Sequence, residues 1–200
     1  MFDSGIKVKD LIDQIKDEAD ISAPISDDSY ILWITALEQL LYTEIIKEQS
    51  VLEVAIPTSS KIDLSELQVA NEESPVRFEN IHAVYADMVQ LIKSTAASGV
   101  IFPNTYYKQK NGIGLNIQGD AKKLRIVYFV RPSEKSVSRA DTETVKLPIE
   151  FIDLVKARLR GEAYKVANED NLAAKWIGDY NTLLEAFKTW IAEKQAAFGL

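Results

Sequence analysis

The side chains that could do chemistry are few and scattered. The chain holds one histidine, His82, and no cysteine. One imidazole cannot supply the paired ligands of a metalloprotease or a His-rich zinc site, and without thiols there is no cysteine nucleophile, no Cys-based zinc site and no disulfide. No Gly-x-Ser-x-Gly elbow occurs. "GVIFPNTYYKQKNGIG" has glycines but lacks the Gly-Lys-Ser/Thr of a phosphate loop, and no dinucleotide-binding glycine fingerprint is present. Adjacent carboxylates remain as acid–base candidates: Asp27-Asp28, Glu72-Glu73 and Glu169-Asp170. Neighbours on a turn point different ways and sit in water, so all three read as solvated pairs. "NEDN" at 168–171 is too short for the alternating oxygen ligands of a calcium loop. The expectation is a protein without catalysis, cofactor or metal, in which His82 is structural.

Binding is the other possibility. Lys108, Lys110, Lys122, Lys123 and Arg125 lie close to Tyr106 and Tyr107. Basic residues interleaved with aromatics on a sheet can hold a single strand of nucleic acid; lysines on strand edges also block sheet-to-sheet aggregation. Glu72 and Glu73 are the acidic candidates for a contact surface. Residues 1–75 carry 5 Lys/Arg against 16 Asp/Glu, whereas residues 76–140 carry 10 against 4. Such asymmetry suggests parts that face different partners. The overall charge of −7 argues against a protein whose main task is gripping DNA phosphates.

These side chains need elements to position them. Val8, Leu11, Ile12 and Ile15 repeat at helical spacing, which predicts a helix over 8–19. Ser26 is a good N-cap, with Asp27 and Asp28 in the first turn, and predicts a second helix over 27–49. Its apolar face holds Tyr30, Trp33, Ile34, Leu37, Leu41, Ile45 and Ile46. "VLEVAIPTSS" reads as extended, and residues 61–75 as an acidic loop with at most one short helical turn. Asn111-Gly112 suits a type I′ hairpin turn, whose central residues need positive φ. Gly119-Asp120 makes a second turn. Three antiparallel strands follow, over 105–110, 113–118 and 124–131, the last almost wholly apolar and so expected to be buried. Residues 133–146 form a polar link. Pro148 then opens a helix whose buried face is Phe151, Leu154, Val155, Leu159, Ala163 and Val166. A final helix spans 170–196, lined by Leu172, Trp176, Tyr180, Leu183, Leu184, Phe187, Trp190 and Ile191. Asn168 suits a left-handed helix end, and Asp170 suits the next N-cap.

The expected class is α+β, a compact unit with helices over 1–50, a β-rich insert over 51–146 and a helical hairpin over 147–200. No apolar run reaches the length of a membrane span, and "MFDSGIKVKDLIDQ" lacks the basic-then-apolar pattern of a signal peptide. Assembly in a cytoplasm, with no membrane partner, is the expectation.

"LPIEFIDLVKARLRGEAYKVANEDNLAAKWIGDYNTLLEAFKTWIAEKQ" resembles the closing helical hairpin of tailed-bacteriophage head–tail adaptor proteins. The resemblance rests on Leu147-Pro148, Glu150-Phe151, Ala163-Tyr164, Ala167, the turn at Asn168–Asn171, Ala173-Ala174, Tyr180 and Leu184. "VKDLIDQIKDEAD" and "YILWITALEQLLYTEI" are similar to the family's opening helix pair, and "LRIVYFVRP" sits where the family keeps its β-rich insert. That placement implies strands over 78–93, where periodicity alone also allows a helix. The resemblance implies a structural virion protein at the head–tail junction. Its copies would form a ring, usually of twelve, beneath the portal protein, which extends the DNA channel and docks tail or neck proteins. Double-stranded DNA would pass without specific binding. Another neck or tail-completion protein, a non-viral interaction module, or a single-strand binder acting through the 105–131 sheet are the alternatives.

Overall fold

A computed structural model describes residues 1–19, 21, 24–64, 76–95, 102–110 and 112–198. The fold is α+β, and the chain divides into two units: Met1–Ile46 with Glu134–Leu200, and Lys47–Ser133.

The first unit is helical. Helix α1 (Val8–Glu18) buries Val8, Leu11, Ile12 and Ile15, the four residues whose spacing predicts it. Helix α2 (Asp27–Leu41) starts at Ser26, whose Oγ accepts the Ser29 N–H at 3.3 Å. It ends earlier than its apolar pattern suggests. A π-helical turn, Tyr42–Ile46, follows, and Lys47 adopts φ +50°. The β-branched Thr43, Ile45 and Ile46 favour extended backbone, so the α-helix gives way there. Helix α3 (Ile152–Val166) is entered through a 3₁₀ turn, Ile149–Phe151, in which the Phe151 N–H reaches the Pro148 carbonyl. Helix α4 (Asp170–Phe198) returns along α3, and α1 and α2 also touch α3. Gly161 lets the hairpin close: a Cβ there would lie 3.0 Å from Ile177 Cγ1. Phe2, Phe151, Phe187 and Trp190 make a ring cluster with centroids 4.9–6.3 Å apart.

The corner between α3 and α4 is a Schellman motif. Asn168 has φ +60°, its N–H donates to the Lys165 carbonyl, and the Glu169 N–H donates to Tyr164. Asp170 is the first residue of α4, not its cap. The first helical bond runs from Ala173 to the Glu169 carbonyl. Val166 and Leu172, expected on buried faces, are exposed, because the corner turns both away from the α3–α4 seam.

The polar link is strapped down within this unit. Val8 and Lys9 donate to Glu143 and Ala140, Val145 donates to Ile6, and Ser4 to Val145. Lys7 and Thr144 form an isolated antiparallel bridge.

The second unit is one seven-stranded sheet: β1 (Gln49–Ala55), β2 (Lys61–Asp63), β3 (Ile81–Ala86), β4 (Val89–Ser94), β5 (Thr105–Gln109), β6 (Gly112–Asn116) and β7 (Lys123–Phe129), in the order β1-β7-β3-β4-β5-β6-β2. All neighbours are antiparallel except β4 and β5. β1 and β2 occupy opposite edges, although only residues 56–60 join them. A flat sheet would hold those edges about 29 Å apart, and the link reaches only about 20 Å. The sheet must therefore curl. Its concave side holds Leu52, Val54, Ile62, Val84, Leu91, Tyr106, Ile113, Leu115, Leu124, Ile126 and Tyr128.

Residues 78–93 are strands beyond one 3₁₀ turn, Phe78–Asn80, and the hairpin turns at Asp87-Met88 with Asp87 at φ +49°. β2 lies within the segment read as a loop; residues 65–75 are outside the described residues. β7 is not buried on both faces. Leu124, Ile126 and Tyr128 point inward while Lys123 and Arg125 are exposed, as expected when one face meets water. The Asn111-Gly112 expectation also changes. Asn111 is outside the described residues. Gly112 does not have positive φ: it is the first residue of β6, paired with Gln109 and with Asp63. Its lack of a side chain serves close strand approach, since a Cβ there would lie 1.9 Å from the Ile62 carbonyl oxygen.

Candidate functional site

The basic residues singled out from sequence fall into two groups. Lys108 is on β5 and Lys110 follows it; Lys123 and Arg125 are on β7, with Lys122 just before. β3 and β4 lie between those strands. Three interstrand steps, about 14 Å, separate the groups. Tyr106, a proposed stacking platform, is buried with its ring edge-on to Phe78. Burial also raises the Tyr106 hydroxyl above its usual range. Tyr107 lies over Gly114 of β6 rather than offering a free face. The sheet thus brings no aromatic–basic strip together from these residues. Glu72 and Glu73 are outside the described residues.

Each basic group has its own surroundings. Lys108 pairs with Glu79, and that contact holds the Glu79 carboxyl below its usual range. Lys108 and Lys93 both approach the Phe78 ring, with Nζ 5.9 and 4.4 Å from its centroid. Lys93 was not singled out from sequence, because its ambiguous segment gave no face for it. At the other end of the strands, the Asp87 carboxylate accepts the Lys122 and Lys123 backbone N–H groups at 3.3 and 3.0 Å. This fixes the β3–β4 turn against the start of β7. Arg125 stands opposite Glu53 on β1 and Tyr85 on β3. His82 is exposed, with its ring 5.1 Å from Phe129.

The most buried ionisable group is in the helical unit. Glu38 of α2 is fully buried. Its Oε1 accepts the Lys146 N–H at 2.7 Å, and Lys135 Nζ lies 3.0 Å from Oε2. Lys135 Nζ also donates to the Thr144 carbonyl, and its backbone N–H to Thr35 Oγ1. Burial pushes the Glu38 carboxyl up, against the pull of Lys135 and Lys146. The cluster ties the strap to α2; it has no open face for a substrate. Of the carboxylate pairs, Asp27 is bound by Lys16 and Lys9, while Asp28 is exposed. Among the described residues, no group of three or more His, Cys, Asp or Glu is placed to hold a metal. No helix there is long and apolar enough to cross a membrane.

What the molecule does present is apolar surface. On α2, Leu32 and Leu40 are 65% and 52% exposed, with Ala36 between them. On the sheet, Met88 is 94% exposed and Ile92 and Phe102 are each 69% exposed. Neither surface was legible in the sequence. α2 is apolar on nearly every side, so periodicity does not separate its outer leucines from its core. No family model matches the chain, and no curated protein matches it.

Proposed function

We propose that the chain is a head-to-tail adaptor of a tailed bacteriophage, a structural virion protein. Its copies form a ring, of twelve, beneath the portal protein. The ring extends the DNA channel and docks tail or neck proteins. In this reading both chain ends build one helical bundle, from the α1–α2 pair and the α3–α4 hairpin, and the sheet is an insert between them. No reaction is catalysed, and DNA passes through the lumen unbound.

The observation that carries the reading is the α3–α4 hairpin. The segment with the adaptor-like pattern packs α3 along α4, with buried Ala163 and Ala173 and a corner closed by backbone hydrogen bonds rather than by a reactive site. Charge supports it as well. Residues 1–46 and 134–200 carry 13 Lys/Arg against 21 Asp/Glu. An acidic lumen would let a duplex slide without sticking. A ring also needs two different complementary surfaces on each copy, and the exposed apolar residues of α2 and of the sheet are suited to that.

Purified protein mixed with assembled portal is the test. Cryo-EM should show a ring of density on the portal, and sedimentation should show co-migration. Neither a ring nor portal binding would refute the adaptor reading.

A further inference from the structure

The two edges of the sheet differ in how they meet water. β2 is three residues long and starts with a lysine. The Ser60 carbonyl accepts the Leu115 N–H, so the even-numbered residues bond β6 and Lys61 turns its peptide groups outward. One hydroxyl caps both groups: Ser59 Oγ accepts the Lys61 N–H at 3.4 Å and donates to the Lys61 carbonyl at 3.3 Å. A short strand, a lysine and a local cap keep an edge from pairing with another chain.

β1 carries none of these devices. Its seven residues run in unbroken register with β7, without bulge, proline or lysine. The Glu48 carbonyl accepts the Val130 N–H, and the Ile56 N–H donates to the Lys122 carbonyl. Bonding alternates along an antiparallel pair. Ser50, Leu52 and Val54 therefore bond β7, and Gln49, Val51, Glu53 and Ala55 direct their N–H and C=O groups away from it. Among the described residues, those outward groups have no hydrogen-bond partner. The one charge on the strand, Glu53, stands opposite Arg125 of β7, which offsets it. Leu52 and Val54 face the core yet are only half-buried, because the inner layer of the sheet stops beside them.

We infer that β1 is a docking edge for β1 of a second copy, paired antiparallel about a two-fold axis at Leu52. A row of donors and acceptors about 6.8 Å apart matches an extended backbone. One register uses all four outward residues of each copy: Val51 opposite the second copy's Glu53, and Gln49 opposite its Ala55. Leu52 then meets its own equivalent in the close, non-hydrogen-bonded position, and Val54 lies opposite Ser50. The apolar inner layer continues from one copy into the other. Moving the axis to Glu53 sets two carboxylates against each other. Moving it to Val51 leaves Ala55 opposite Lys47, whose φ of +50° takes it out of the strand. The contact goes beyond the ring reading and does not rest on it. A two-fold contact closes at two copies, so it belongs to the free chain and is not the joint between ring neighbours.

Sedimentation of the full chain over a concentration series, without portal, should show a monomer–dimer equilibrium. Val51→Pro removes only an outward N–H, and an edge strand tolerates proline at such a position. The two-fold loses that bond twice, so the dimer Kd should rise about tenfold or more, while the Leu52 and Val54 amides stay protected by β7. A chain that stays monomeric up to about 1 mM, or a Val51→Pro chain that dimerises as wild type does, would overturn the pairing. The absence of cysteine makes the register testable. Leu52→Cys should oxidise to a disulfide dimer, because the Cβ atoms of a close pair lie about 5 Å apart. Ser50→Cys, on the same face but opposite Val54, should cross-link no faster than random collision allows. Equal rates for the two would refute an axis at Leu52. If Val51→Pro does not fold, the two cysteine variants decide alone. Portal binding by a chain that never dimerises removes only this contact and leaves the adaptor reading standing.

Discussion

Lys135 Nζ lies 3.0 Å from Glu38 Oε2, and both side chains are buried. The second oxygen of Glu38 holds the Lys146 N–H, but Oε2 makes no hydrogen bond of its own among the described residues. Taking both charges out of water costs more than such a pair regains unless every lone pair is satisfied. The pair is therefore a positional tie between α2 and the strap, not a net source of stability. Removing one partner strands the other. Glu38→Ala should cost about 3–5 kcal/mol in urea unfolding. Glu38→Leu combined with Lys135→Met should recover most of that loss. A double variant as unstable as the single one would show that the charges themselves hold the strap.

The same carboxylate sets an unusual pH response. Burial raises the folded-state pKa of Glu38 above its ordinary value of 4.5. Its contribution is then most favourable below that value and is lost as pH rises through the raised folded value. Asp27 behaves oppositely. The hydrogen bond from Lys16 lowers its pKa from 3.8, so its contribution is present above that value and lost on acidification through the lowered one. Because both side chains of that pair are about one-third exposed, water screens it, and Asp27→Asn should cost about 0.5 kcal/mol or less. Unfolding free energies compared between wild type and Glu38→Gln should show wild type losing ground as pH rises above 4.5. A difference that grows in wild type's favour over that range would contradict the assignment.

Two glycines in β6 should be intolerant for different reasons. At Gly112 a Cβ would meet the backbone of β2, which cannot step aside without breaking its pairing with β6. Gly112→Ala should destabilise by about 1–3 kcal/mol and loosen amide protection at Lys61–Asp63. At Gly114 the obstacle is the Tyr107 ring, with Cζ 2.2 Å from the added carbon. Gly114→Ala should cost less in a Tyr107→Ala background than in wild type. Equal costs in both backgrounds would place the constraint elsewhere.

How much of this was legible depended on how local the determinant is. The buried face of α1 could be read because all four apolar residues lie within eight positions and have polar neighbours. The Ser26 cap could be read for the same reason. The Glu38 tie could not: its partner Lys146 is 108 residues away, in a segment whose composition is that of a solvated loop. At Gly112 the Asn-Gly turn signal masks the steric role, which exists only once β2 is beside β6. The basic residues of 105–125 looked like one patch because they are near in sequence. Two intervening strands, in a segment whose periodicity alone also allows a helix, keep them apart.

The α3–α4 corner gives the sharpest check on whether the polar "NEDN" stretch is a corner or a site. Asn168 is needed there because it tolerates the left-handed backbone at φ +60°. Asn168→Gly should be neutral or slightly stabilising, since glycine reaches that conformation freely. Asn168→Val, whose branched side chain resists it, should cost about 1–3 kcal/mol. Asp170 lies within the first turn of α4 and contributes through the helix dipole, not as a cap. Asp170→Ala should therefore cost about 0.3–1 kcal/mol, shrinking with added salt. Thermal unfolding of the three variants, alongside portal binding, separates the readings. Stability changes in this order with unaltered binding are what a corner requires. Full stability with lost binding in Asp170→Ala would make the carboxylate a contact residue.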